Sequence, residues 1–270
     1  MDAPHRVGDD IFMVPSFAAA PGLGYLPINA FAVLGSEPVL IDTGIPKETK
    51  DWLEALWSIV DPSELRWVVL THEDRDHSGK LQEVLEAAPN ARLVINFVGL
   101  AKLAAEVDFD LPPEKLFIVN PGQALLAGDR RFAVVRPPVY DSSATIGLID
   151  EKSGTLFAVD AFGALIPEPA IELGEVPEDA YAMGFTIFNL ANSAWLSSVD
   201  EDKFARVLDT YSQMGLRRIL STHLPVAEGG CEKLIERLGA LAGTELPAEL
   251  PDDAAYRAIV AEAKGAGGIG

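Results

Sequence analysis

Cysteine is almost missing from this chain: Cys231 is the only one in 270 residues. That excludes an internal disulfide and suits a reducing, cytoplasmic setting. Basic residues are scarce too, with 21 Lys and Arg against 41 Asp and Glu and a formal net charge of −20. Neutralising phosphates takes clustered Lys and Arg, so nucleic acid is not an expected partner. The same charge argues against an anionic membrane surface, and the acidic excess is read first as a solubility feature. No apolar run approaches the ~20 residues of a membrane helix. The opening Met1-Asp2-Ala3-Pro4-His5-Arg6 lacks the basic-then-apolar order of a secretory signal. Histidine is rare as well, with four in all, so their placement is informative.

What is present is a globular composition, 49% apolar, long enough for one large domain or two small ones. No shift of composition marks a boundary. A single domain over residues 1–264 is expected, with a helical extension at 227–264 and a disordered Gly-rich tail at 265–270. Short apolar runs alternate with helical spacing. Strands are expected at 39–41, 67–70, 92–95, 146–149, 155–159 and 218–221, and a hairpin at 123–135. Helices are expected at 51–60, 79–88, 99–107, 186–214, 231–241 and 254–263. Residues 163–184, rich in Pro and Gly, read as a long loop and a possible lid. The pattern is mixed α/β and suits two mixed sheets packed together with helices outside.

The chemistry gathers in Thr71-His72-Glu73-Asp74-Arg75-Asp76-His77-Ser78-Gly79, just past the apolar Trp67-Val68-Val69-Leu70. Six consecutive residues there hold two imidazoles and three carboxylates. Such a density of ligand atoms is costly to fold without a positive partner, most simply a metal. Other candidate strands also end on Asp or His: Asp42, Asp160 and His223, with Asp141 soon after the strand ending at Val135. Ligands in α/β architectures bind where the carboxyl ends of strands open into loops, and strands hold such residues rigidly.

Taken singly, each has an ordinary reading. Asp42-Thr43-Gly44 and Asp141-Ser142-Ser143 could be turns, Asp160 a helix cap and His223 a core histidine. A cap needs one acid, however, not the three acids and two imidazoles of residues 72–77. Arg75 is expected to pair within its own acidic loop, His5 to be a surface residue and Cys231 to pack as a small side chain. Asn189, Asn192, Trp195, Tyr25 and Phe31 could line a pocket, with ordinary packing favoured. Leu70-Thr71-His72 and Ser221-Thr222-His223 form a weak internal echo.

These residues resemble the metallo-β-lactamase superfamily, whose signature is His-x-His-x-Asp-His after a strand. The segment here reads His72-Glu73-Asp74-Arg75-Asp76-His77. Val39-Leu40-Ile41-Asp42-Thr43-Gly44, Phe157-Ala158-Val159-Asp160 and Ser221-Thr222-His223-Leu224-Pro225 are similar to the family's first turn, bridging-aspartate strand and final histidine segment. The resemblance covers residues 10–226 and implies a four-layer αββα sandwich. It implies His72, Asp74, Asp141 and Asp160 for one metal, and Asp76, His77, Asp160 and His223 for a second. Asp160 would bridge, Asp76 would be the catalytic candidate, and Asp42 would support rather than ligate. Two positions depart from the family. Asp74 replaces a histidine, and the middle histidine is missing, with Asp141 nearest its place and Tyr140 the alternative.

Three imidazoles and four carboxylates make a harder, more negative site than the usual dizinc one. Iron or manganese is therefore favoured, with zinc still possible. A carboxylate in place of the second histidine is similar to the flavodiiron branch, which holds two irons and reduces or binds dioxygen or nitric oxide. Members of that branch carry a flavodoxin-like domain after the metal domain, and residues 224–270 are too short for one. Electrons would then come from a separate donor protein, or the protein would bind dioxygen without turnover. The competing reading is a hydrolase of a small ester, thioester, lactone or phosphodiester. There, two metals about 3.5–4 Å apart would polarise the substrate and lower the pKa of a water between them. A vestigial or structural metal site is the third class.

Overall fold

The structure, a computed structural model, describes residues 3–227, 229–247 and 251–265. One sheet runs in the order His5–Arg6, Ile11–Val14, Ala30–Val33, Val39–Ile41, Trp67–Val69, Arg92–Ile95, Leu116–Ile118. Its first three junctions are antiparallel and its last three parallel. The second runs Ala124–Ala127, Arg130–Val135, Gly147–Asp150, Thr155–Phe157, Arg218–Leu220, with only the last pair parallel. Strands that pair in parallel end at the same edge. The chain therefore leaves Val39–Ile41 and Trp67–Val69 on one side, and Thr155–Phe157 and Arg218–Leu220 likewise.

Period-two alternation builds the layers. Val39 and Ile41 join Phe31, Phe132, Leu148 and Phe157 in the core between the sheets, where the Phe31 and Phe157 rings lie 5.5 Å apart. Leu40 faces the other way. It packs under Trp52 of helix Thr49–Trp57, Leu81 and Val84 of Leu81–Ala87 and Leu103 of Phe97–Glu106. On the opposite side Leu156 and Ile219 meet Phe185 of helix Glu178–Asn192, Phe204 and Leu208 of Glu201–Ser212 and Leu238 of Cys231–Gly239. Helix, sheet, sheet and helix are thus the four layers of an αββα sandwich.

The helical spacing at 186–214 resolves into two helices separated by the 3₁₀ turn Ala194–Ser198. Asp200 starts the second by accepting a hydrogen bond from the Lys203 amide at 2.9 Å, a side-chain cap that ends one run and opens the next. The first helix begins at Glu178, right after Pro177, so the loop expected to 184 stops seven residues earlier. What remains of it is not a free lid. Ala164 and Ile166 are buried, the Ala164 amide donates to His223 O, and Ile166 bridges to Tyr25. The N-terminal strands and Leu116–Ile118 are additions to the expected set. Runs such as Phe17-Ala18-Ala19-Ala20 have little intrinsic strand preference and depend on their neighbours. Helix Asp253–Gly265 takes the place of the expected 254–263, and residues 266–270 of the expected tail lie outside the described residues.

Gly184 lets helix Glu178–Asn192 sit directly on residues 163–166. A Cβ there would come within 1.9 Å of Leu165 O. Glycine to alanine inside a helix ordinarily stabilises by about 0.5–1 kcal/mol. Gly184→Ala is expected to destabilise instead, read as a lower midpoint in denaturant; a raised midpoint would contradict this packing.

Candidate metal centre

The turn after Val39–Ile41 and the segment after Trp67–Val69 are locked together before any metal is considered. Asp42 adopts φ 61°, a left-handed conformation that L-residues other than Asn, Asp and Gly seldom take. Its carboxylate accepts the Thr71 amide at 2.9 Å, the Thr71 hydroxyl at 2.9 Å and the His77 ring Nδ1 at 2.8 Å. Thr43 donates its amide and hydroxyl to His77 O. Gly79 permits this approach, since a Cβ there would lie 2.4 Å from Gly44 O. Beneath the turn Lys80 is fully buried, donates to Ile45 O and lies 4.9 Å from the Trp52 ring centroid. Burial pushes its pKa down to about 8.

The second sheet supplies the other half. Val159 is held at φ 60°, a rare and strained state for a β-branched residue, of the kind found at functional sites. The Thr222 amide and Ser221 hydroxyl both donate to Val159 O at 2.8 Å. That fixes Asp160 beside His223.

The geometry brings all seven candidate donors to one place. His72 Nε2 lies 3.7 Å from Asp74 Oδ2, 3.9 Å from Asp141 Oδ1 and 3.7 Å from Asp160 Oδ2. Asp160 Oδ1 faces a different group, with His77 Nε2 at 3.1 Å and His223 Nε2 at 3.3 Å. Asp76 Oδ2 completes that group, 3.7 Å from His77 Nε2 and 3.4 Å from His223 Nε2. Donors around a metal with bonds of about 2.1 Å stand roughly 3–3.4 Å apart, so these spacings fit ligand shells only slightly expanded. His77 Nε2 and both oxygens of Asp160 are buried without any hydrogen-bond partner. Orphaned buried polar atoms are costly, and cations would satisfy all three.

Each imidazole is turned the same way. Nδ1 of His77 meets Asp42, Nδ1 of His223 meets Pro27 O at 2.7 Å, and Nδ1 of His72 lies 3.3 Å from the Thr71 hydroxyl. A carbonyl or carboxylate only accepts, so Nδ1 of His77 and His223 carries the proton and Nε2 keeps its lone pair for the centre. The electrostatics are those of crowded acids. Burial opposes charge on His77, but Asp42 and Asp160 outweigh it and raise its pKa well above the ordinary value. Burial likewise opposes charge on Asp160, and His72 and His77 hold it well below the usual carboxylate range. Asp141 is pushed up to about 6 by burial and by the charges of Asp160 and Asp74. Divalent cations between these donors would set positive charge directly against Asp160 and leave the imidazoles neutral.

Other residues singled out from the sequence separate clearly. Tyr140 lies beside the Trp195 ring, 5.5 Å away, and the Arg136 guanidinium, 5.2 Å away; Asp141 is the residue in the donor group. Trp195 sits in the 3₁₀ turn and donates to Tyr140 O at 2.9 Å, so it shares no helix face with Asn192. Asn189 is buried and donates to Gly163 O and Phe185 O, a packing role. Arg75 is exposed and makes no ion pair among the described residues, contrary to expectation: its loop's acids turn inward and it does not. His5 pairs with Glu172 at the surface at 2.7 Å, and burial pushes the half-buried Cys231 thiol up. Sequence reasoning missed three residues. Phe188 places its ring 5.1 Å from His223, while Lys102 and Ser142 join Glu73 in a polar cluster. Only the buried, unaccounted acid Glu73 within the cluster of residues 71–79 signalled the last group.

The family model described as the metallo-beta-lactamase superfamily matches residues 23–217. The chain belongs to that superfamily. Flavodiiron proteins and flavoproteins are among its curated relatives and structural neighbours. A protein named diflavin flavoprotein A 1 from Thermosynechococcus vestitus is 31% identical over 148 residues, 55% of this chain and 25% of that protein. The type A flavoprotein fprA of Rhodobacter capsulatus is 32% identical over 139 residues, 50% of this chain and 32% of the relative. Among solved structures, the rubredoxin oxygen:oxidoreductase of Desulfovibrio gigas superposes with a TM-score of 0.75 at 17% identity, covering 88% of this chain and 61% of that one. The match therefore spans about a quarter to a third of these curated relatives. No helix among the described residues is long and apolar enough to cross a membrane.

Asp42 touches none of the converging Nε2 atoms, yet it orients His77 and Thr71 together. Outer partners of this kind typically contribute 10–100-fold to metal affinity. Asp42→Asn is expected to weaken divalent-metal binding by that order, measured by chelator competition; an unchanged constant would remove Asp42 from the account.

Proposed function

We propose that this chain is a carboxylate-rich dinuclear metalloprotein that carries iron and binds or reduces a small oxidant, dioxygen or nitric oxide. The observation that carries the reading is Asp160: two buried oxygens, neither hydrogen-bonded, each aimed at a separate donor set. His72, Asp74 and Asp141 would hold one cation with Asp160 Oδ2, and Asp76, His77 and His223 the other with Asp160 Oδ1. Four carboxylates balance two divalent charges and favour hard metals, iron or manganese, over zinc. A pair of irons would supply electrons to the bound oxidant.

The residues of the chain do the rest. Asp42, Thr71 and Pro27 O fix the imidazole tautomers, and Val159 and Gly163 hold Asp160 and His223 in register. Asp74, about 48% exposed, Asp76, about 30%, and Asp141, about 25%, are the solvent-facing donors. Asp76 is the one among them in the second donor set, which makes it the candidate to exchange protons at that position. The likeness to flavodiiron proteins supports the oxidant, and the D. gigas neighbour is named as an oxygen oxidoreductase paired with rubredoxin. Turnover as a reductase would take electrons from a redox donor, as flavodiiron relatives do. No observation favours hydrolysis or zinc over this assignment.

Protein expressed without added metal and purified anaerobically is expected to contain close to two irons per chain, and after chemical reduction to consume dioxygen or nitric oxide. Stoichiometric zinc with turnover of a chromogenic ester would overturn the reading. Asp160→Ala is expected to lose both metals together by elemental analysis; two full equivalents in that variant would refute the shared bridge.

A further inference from the structure

The loops that carry the first donor set are joined by a polar bridge that none of the seven donors explains. Lys102, on helix Phe97–Glu106, donates its ammonium to Glu73 Oε1 and to Ser142 Oγ at 2.9 Å. Ser142 donates to Glu73 Oε1 at 3.2 Å, closing a triangle. Glu73 lies between His72 and Asp74, and Ser142 follows Asp141. The triangle therefore ties the segment bearing His72 and Asp74 to the segment bearing Asp141. Glu73 is only 4% exposed in its side chain, and its Oε2 has no partner. A carboxylate that deep is costly unless a charge is held against it. Lys102 is that charge, and the negative groups around it include Asp74 and Asp141 as well as Glu73.

The rest of the Asp141 segment is pinned by neutral or outward contacts. Asn96 donates to Ala144 O, Arg136 to Ser143 O at 3.0 Å and to Thr145 O, and Trp195 to Tyr140 O. The Ile146 amide donates to Thr71 O at 2.9 Å and joins the far end of the segment to the strand end. At the Asp141 end the tie to residues 72–74 is the triangle, in which Lys102 braces the direct Ser142–Glu73 bond and adds one positive charge beside a donor set whose three own acids, Asp74, Asp141 and Asp160, face a single imidazole.

We propose that Lys102 is a positioning residue for the first metal position. It braces the Asp74 and Asp141 segments against each other through Glu73 and Ser142, and it offsets the negative charge that an aspartate brings at residue 141. This rests on the dinuclear reading above. Lys102 itself ligates nothing; its effect is on affinity at one position and not at the other, because His77, Asp76 and His223 reach the centre without it.

Titrating metal-free protein with cobalt(II), followed by visible absorption and calorimetry, separates the possibilities. Wild type is expected to take two equivalents. Lys102→Met is expected to keep the second-position equivalent and to bind the other about 10–100-fold more weakly, the usual range for an outer partner, while Lys102→Arg restores it. Combining Lys102→Met with Asp141→His, which removes the excess negative charge, is expected to recover first-position binding. The unfolding midpoint of the metal-free variants reports whether the fold is intact. Two equivalents with unchanged constants in Lys102→Met would overturn the inference and leave the dinuclear reading standing. Equal loss at both positions, or no recovery in either the Arg variant or the double variant, would overturn it too. A single equivalent in wild type would overturn both readings at once.

Discussion

A carboxylate buried between three imidazoles governs how this molecule is put together. Asp160 is 3% exposed, and its two oxygens face His72 on one side and His77 with His223 on the other. Leaving such a group unsatisfied would cost on the order of several kcal/mol. The surroundings do not relax to relieve it. Asp42 and Val159 are held with positive φ, Asp42 and Pro27 O tie imidazole Nδ1 atoms back, and Gly79 and Gly184 admit backbone approaches that any side chain would block. Strain and packing are being used to keep lone pairs converging on two points.

The fold makes this possible through strand direction. Parallel pairing of Val39–Ile41 with Trp67–Val69 puts Asp42 and His72 at one edge, and parallel pairing of Thr155–Phe157 with Arg218–Leu220 does the same for Asp160 and His223. The two sheets share the core of Phe31, Ile41, Phe132 and Phe157, so the edges face each other at a fixed distance. Each donor set then draws on both sheets: His72 and Asp74 from one with Asp141 and Asp160 from the other, and Asp76 and His77 with Asp160 and His223. A shift of one sheet over the other would break both sets together, which couples the sandwich core to the site.

Much of this was legible in the sequence because it depends on residue type at strand ends. The cluster of residues 72–77 and the Asp or His after apolar runs needed no tertiary knowledge, and the layered mixed fold followed from alternating strands and helices. The choice of Asp141 over Tyr140 needed coordinates, since one residue of difference at a loop turns a side chain from the centre toward Trp195 and Arg136. The break between the helices at residues 193–200 hid behind continuous apolar spacing, with only the Asp200 cap to mark it. The Ala-rich N-terminal strands carry little preference of their own and form through their partners: Phe17–Ala20 pairs with Gly24–Pro27, and Ala30–Val33 lies between Ile11–Val14 and Val39–Ile41. The Lys102–Glu73–Ser142 triangle joins residues 29, 40 and 69 apart in sequence, a separation that no local pattern encodes.

The central claim is that two cations share Asp160. Anomalous diffraction at the iron edge, from crystals of protein grown and purified without added metal, addresses it most directly. The account predicts two peaks about 3.5–4 Å apart, one beside each Asp160 oxygen. A single peak, or none within reach of that carboxylate, would contradict it.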